Sequence, residues 1–132
     1  MVIEIIPASE KRKLVEAEKE KRAIEKEEQR KKEEEIIEKL ICEWTESILY
    51  SLKVGIENKD NFNRFEYYLK YNNYYAPDFF DSQREATNNI LNKCLKIIKE
   101  VLEARGYSVF IFKHSVCYQT QTNMFGYIAV SW

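Results

Sequence analysis

The sequence predicts an α+β protein: a long charged N-terminal helix, then a second, amphipathic helix packed on a small antiparallel sheet that includes a C-terminal hairpin. Three observations predict it. Gly and Pro are absent from Ala8 to Val54, a stretch rich in strong helix formers. Apolar residues from Ala86 to Leu102 recur at spacings of three and four. Two β-prone runs, Tyr107–Lys113 and Gly126–Trp132, follow them.

The chain opens on Val2, Ile3, Ile5 and Ile6, a short β-prone tip closed by Pro7. Such a tip ahead of a polar helix has little of its own chain to bury against. Its two outcomes are fraying or addition to a partner's sheet or groove. Glu10 to Glu35 then holds ten acidic and ten basic residues, and from Glu25 to Glu35 there is no apolar side chain. Opposite charges stand four apart in Glu18/Arg22, Lys21/Glu25, Glu27/Lys31, Glu28/Lys32, Arg30/Glu34 and Lys31/Glu35. Each pair contributes about 0.2–0.5 kcal/mol, far below what a packed face supplies. Ser9, after Pro7-Ala8, is the predicted N-cap.

Further on, Ile37, Ile41, Trp44, Ile48 and Leu52 form a stripe with Leu40 and Leu49 beside it, so the helix enters a core near Ile36 and leaves it near Gly55. The expected organisation is a tip and solvated arm over 1–35 and one small domain over 36–132. Heptads begun at Leu14 put Lys21, Glu28 and Lys31 in the seam, which disfavours a strong parallel coiled coil. Leu14, Val15, Ala17, Ala23 and Ile24 still make an apolar patch suited to docking on a neighbouring subunit or partner.

Residues 62–80 carry nine of the eighteen aromatic side chains. Phe65, Tyr67, Leu69 and Tyr71 alternate with Arg64, Glu66, Tyr68 and Lys70, which favours a half-buried strand. A short helix with Phe62, Phe65, Tyr68 and Leu69 on one face is the alternative. Asn72-Asn73 reads as a turn. Core packing, a protein interface through Tyr67, Tyr71, Tyr74 and Tyr75, and stacking on unpaired bases are the three readings of this cluster. Residues 36–81 hold five basic and eight acidic side chains, which argues against the nucleic-acid reading.

Ser82 and Glu85 have capping-box spacing ahead of the Ala86–Leu102 stripe, and Gly106 supplies a left-handed stop. The HSVCYQTQTNMF segment between the last two strands is long for a hairpin tip. Trp132 at the end of the second strand is expected to be held in the sheet.

At 132 residues and a net charge of −1, the chain has no overall bias toward nucleic acid or membrane. MVIEIIP is too short for a signal peptide and carries Glu4; no apolar run approaches a membrane span. A soluble protein of the cytoplasm, or of a particle assembled there, is expected. Cys42, Cys94 and Cys117 read as buried free thiols in a reducing compartment. His114 and Cys117 are the one candidate nucleophile pair, but their spacing does not force them together and no acidic third member is near. Metal-ligand spacing is lacking, and Gly55, Gly106 and Gly126 are isolated. No catalytic, metal or cofactor residue is assigned, and no cofactor is expected.

The segments LEARGYSV (Leu102–Val109) and IAVSW (Ile128–Trp132) resemble small, mostly uncharacterised bacteriophage-type proteins. In these an amphipathic helix stops at Gly-Tyr, a strand follows, and a last strand ends on Ser-Trp. The resemblance spans about fifty residues and implies a viral accessory or virion protein, with no catalytic residues carried over. The expected function is therefore a non-enzymatic, homo-oligomeric structural or assembly protein. The alternative is an inhibitor that binds a host enzyme or defence complex, and the third reading is single-stranded nucleic-acid binding.

Overall fold

A computed structural model of the chain describes residues 3–113 and 123–132. Helix α1 (Ala8–Glu57) leads to strand β1 (Arg64–Lys70) and a 3₁₀ turn (Tyr71–Asn73). Helix α2 (Gln83–Glu103) and strands β2 (Ser108–Lys113) and β3 (Met124–Ser131) follow. The strands form one antiparallel sheet in the order β1-β3-β2. This is the predicted α+β class. The chain divides into two compact units, Met1–Ile36 and Ile37–Trp132.

In the first unit the helix starts one residue before the expected cap. The Pro7 carbonyl accepts from the Lys11 N–H at 3.1 Å, so Ser9 sits inside the first turn and is not the N-cap. Proline suits this place because it fixes φ and has no N–H to leave unpaired. Glu18 pairs with Arg22 at 3.4 Å, and Arg30 bridges Glu27 and Glu34. That hydrogen bond from Arg30 holds the Glu27 carboxyl below the usual carboxylate range. These pairs lie in solvent and contribute little.

The second unit holds the core. Trp44, Ile48 and Leu52 of α1 meet Ile90, Leu91, Cys94, Leu95, Ile98 and Leu102 of α2 over Leu69, Phe125, Ile128 and Val130 of the sheet. At Gly55, α1 passes close against β1: a β-carbon there would lie 2.2 Å from the Phe65 ring. Cys94 is fully buried and its thiol lies 3.5 Å from the Ile41 carbonyl. Cys42 corrects the expectation of buried thiols. It falls beside the Ile41–Trp44–Ile48 stripe and is exposed. His114 and Cys117 lie outside the described residues.

Both ends of α2 follow from local chemistry. Ser82 is extended, and its Oγ accepts the Glu85 N–H at 3.3 Å. At the other end, Gly106 has φ +91°, Tyr107 N–H donates to the Leu102 carbonyl at 3.1 Å, and Gly106 N–H donates to that of Glu103 at 3.0 Å. This pattern closes two orphan carbonyls and turns the chain into β2.

Residues 64–70 form the strand of the two alternatives, in register with β3 from Arg64↔Ser131 to Leu69↔Gly126. A bulge between Leu69 and Lys70 ends the regular pairing. Asn72 and Asn73 turn the chain, with Tyr74 N–H donating to the Tyr71 carbonyl at 3.1 Å. Trp132 is tied down as expected: its N–H donates to the Asn63 carbonyl at 3.1 Å. No helix among the described residues is long and apolar enough to cross a membrane.

Candidate protein interface

Side chains alternate across a sheet, so register assigns them to faces. Phe65, Tyr67 and Leu69, with Val130 and Ile128 of β3 and Val109 and Ile111 of β2, share the face that packs on the helices. The other parity carries rings among the polar side chains Arg64, Glu66, Ser108 and Ser131. Across the three strands, Tyr68 lies beside Tyr127 and Tyr127 beside Phe112; in the next row, Glu66 lies beside Ala129 and Ala129 beside Phe110.

The rings form one group centred on Tyr127. Phe112 stacks on it at 5.2 Å, Tyr68 lies 5.6 Å away and Phe110 6.4 Å. Tyr68, Phe110 and Phe112 remain 50%, 58% and 41% exposed. Exposed aromatic rings that already contact one another offer area at low cost in side-chain entropy. A shallow dish of about 130 Å³ is lined by Arg64, Ser108, Val109, Phe110, Ala129 and Ser131.

Charge on this face is neutralised locally. Arg64 Nη2 donates to Glu66 Oε1 at 2.7 Å, and the Tyr68 hydroxyl donates to Glu66 Oε2 at 3.0 Å. Accepting that bond, the carboxylate pushes ionisation of the Tyr68 hydroxyl upward. Paired to a carboxylate, Arg64 has little attraction for a phosphate backbone.

The residues singled out from the sequence are scattered. Ile3, Ile5, Ile6, Leu14, Val15 and Ile24 are exposed in the first unit, and Val2 lies outside the described residues. Tyr67 and Tyr71 are half-buried and pack against the core. The Tyr71 hydroxyl donates to Asn88 Oδ1, and the Arg84 guanidinium lies 3.8 Å over its ring. Tyr74 is 8% exposed and meets Trp44 edge to face at 5.1 Å, so it belongs to the core and not to a surface. Burial first, and Tyr67 second, push its hydroxyl well above the ordinary tyrosine range. Tyr75 is exposed, but it lies outside the ring group.

Tyr68, Phe110, Phe112 and Tyr127 were not among the expected interface residues. Their signal is the run SVFIFK, apolar at both parities: if Val109 and Ile111 face the core, Phe110 and Phe112 must face away. Among the described residues no group of His, Cys, Asp and Glu is placed to hold a metal ion. Neither a protein-family model, nor a curated protein, nor a solved structure matches the chain.

Proposed function

We propose that this protein works by protein contact, as a small non-enzymatic structural or assembly protein that self-associates. The observation that carries the reading is the group of exposed rings Tyr68, Phe110 and Phe112 around half-buried Tyr127, on the sheet face turned away from the core. A contiguous apolar patch of this kind marks an interaction site. Exposed Leu14, Val15 and Ile24 on the N-terminal unit add a second surface of the same character. The LEARGYSV and IAVSW segments, through their resemblance to bacteriophage-type proteins, make a virion the setting of choice.

The test is sedimentation of a lysate from the native source. The chain should travel with a large assembly, and Tyr68→Lys should release it to the top of the gradient. A wild-type chain that stays at the top overturns the reading, and its recovery there with one host enzyme would instead support the inhibitor alternative.

A further inference from the structure

We propose that the first turns of α1 pair antiparallel with the same segment of a second copy, about a two-fold axis at Lys19. The inference rests on the reading above, that the chain works by protein contact, and names the partner and its orientation on the N-terminal unit. The helix runs unbroken from Ala8, and the apolar side chains early in it are uncovered: Leu14 and Ile24 are 58% and 60% exposed. Heptad spacing from Leu14 sets Leu14, Ala17, Lys21, Ile24, Glu28 and Lys31 on one stripe.

This stripe decides the orientation. In a parallel pair each seam residue meets its own copy, so Lys21, Glu28 and Lys31 would each face a like charge inside the contact. In an antiparallel pair centred on Lys19, residues equally far on either side of it lie opposite one another. Leu14 then meets Ile24 of the second copy, twice, and the two largest apolar side chains of the stripe cover each other. Lys21 comes opposite Ala17, whose methyl leaves room for the lysine stem to lie across it. A slip of one heptad sets Ile24 opposite Pro7, ahead of the helix, or opposite Lys21, and either slip loses the Leu14–Ile24 contacts.

Charge agrees with the same register. Beside the seam, Lys11 comes across from Glu25 and Lys13 from Glu27, each twice by symmetry. Lys11, Lys13 and Glu25 have no ion pair among the described residues, whereas Glu27 is shared with Arg30 of its own helix. Like charges meet only at the ends of the seam, where Glu10 faces Glu28 toward solvent, and at the axis, where Glu18 and Glu20 face their own copies. At the axis Glu18 is held by Arg22 at 3.4 Å, and the seam Lys21 lies beside both glutamates. Two Leu14–Ile24 layers pair weakly by themselves. In an assembly held by other contacts, arms meet at an effective concentration in the millimolar range, where a weak pair forms.

The experiment is sedimentation velocity over a concentration series into the millimolar range, on the full chain and on its Phe110→Ser variant, in which the ring face no longer contributes. In Phe110→Ser the mass should rise from the single-chain 15.9 kDa toward twice that value. In that background Leu14→Asp or Ile24→Asp should weaken the pair by about tenfold or more. Lys11→Glu and Glu25→Lys should each weaken it about threefold, and the double change Lys11→Glu/Glu25→Lys should restore it. All four side chains are exposed, so urea midpoints should stay at that of Phe110→Ser throughout. A single-chain mass at every concentration overturns the proposal, as does a dimer that Leu14→Asp and Ile24→Asp leave intact. A double charge change that fails to restore the pair overturns the antiparallel register, and the proposal with it. A chain with no arm pairing that still sediments with an assembly refutes this inference alone; a paired chain found in no assembly refutes the proposed function alone.

Discussion

Gly55 of α1 lies directly against the ring of Phe65 in β1, so close that a β-carbon would stand 2.2 Å from two of its carbons. In an isolated helix, alanine at this position would be favoured over glycine by about 1 kcal/mol. Here the overlap must be relieved by moving a half-buried ring, and overpacking of this kind costs about 1–3 kcal/mol. Gly55→Ala is therefore expected to lower stability in urea unfolding despite its better propensity, and Gly55→Val to lower it further. In a Phe65→Leu background the loss should shrink. A stabilised Gly55→Ala protein would show that the ring yields freely.

The two ends of α2 can be separated in the same assay. Gly106 has φ +91° and open space around its α-carbon, so a side chain there meets strain and no collision. Gly106→Val is expected to cost more than about 1 kcal/mol. Gly106→Asn should cost less, because asparagine tolerates the left-handed region. Ser82→Ala removes the acceptor for the Glu85 N–H and should cost about 0.5–2 kcal/mol. Being far apart, the Ser82 and Gly106 changes should add in the double variant.

These end signals were legible because they are local: Ser82, Glu85 and Gly106 act on residues within one turn. The α1 stripe was legible for the same reason, since Trp44, Ile48 and Leu52 share one face of a single helix. Residues 64–70 satisfied both a helical and a strand period, and pairing with β3 settled the matter. That pairing joins segments some sixty residues apart and leaves no local mark. Tyr74 reads from the sequence as core or as interface because tyrosine suits both places, and only its contact with Trp44 distinguishes them. The outer ring group escaped because three strands contribute to it. A reader of the sequence knows that Phe110 and Val109 face opposite ways, but not which of them the helices cover.

Alkaline pH should expose the buried acids. Tyr74 and Cys94 both ionise later in the folded chain than the ordinary values of 10.0 and 9.0, in each case chiefly because burial penalises the anion. A raised folded pKa means that the unfolded chain loses its proton first. Stability from these groups is then intact below the unfolded values and falls as pH rises through them toward the folded ones. Urea midpoints should be level with respect to these groups through neutral pH and decline above about pH 9. Tyr74→Phe should flatten part of that decline while losing the contact with Tyr67. The thiols offer a parallel check: a thiol reagent should label Cys42 in the native protein and Cys94 only on unfolding.

The two sides of the sheet should respond to substitution in opposite ways. Leu69 is fully buried on the helix-facing side, and Leu69→Ala is expected to cost about 2–5 kcal/mol through the cavity it leaves. Phe110 lies one parity away and is 58% exposed, so Phe110→Ser should cost only about 0.2–1 kcal/mol, the worth of a cross-strand pair. Tyr68→Ser breaks the ring contact with Tyr127 and the hydrogen bond to Glu66, and should fall in the same low range. What the outer-face changes should alter is association. Elution in size-exclusion chromatography ought to shift toward the monomer for Phe110→Ser while its unfolding curve hardly moves. If Phe110→Ser unfolded the chain as readily as Leu69→Ala, those rings would be part of the core and the sheet would have no free face to offer.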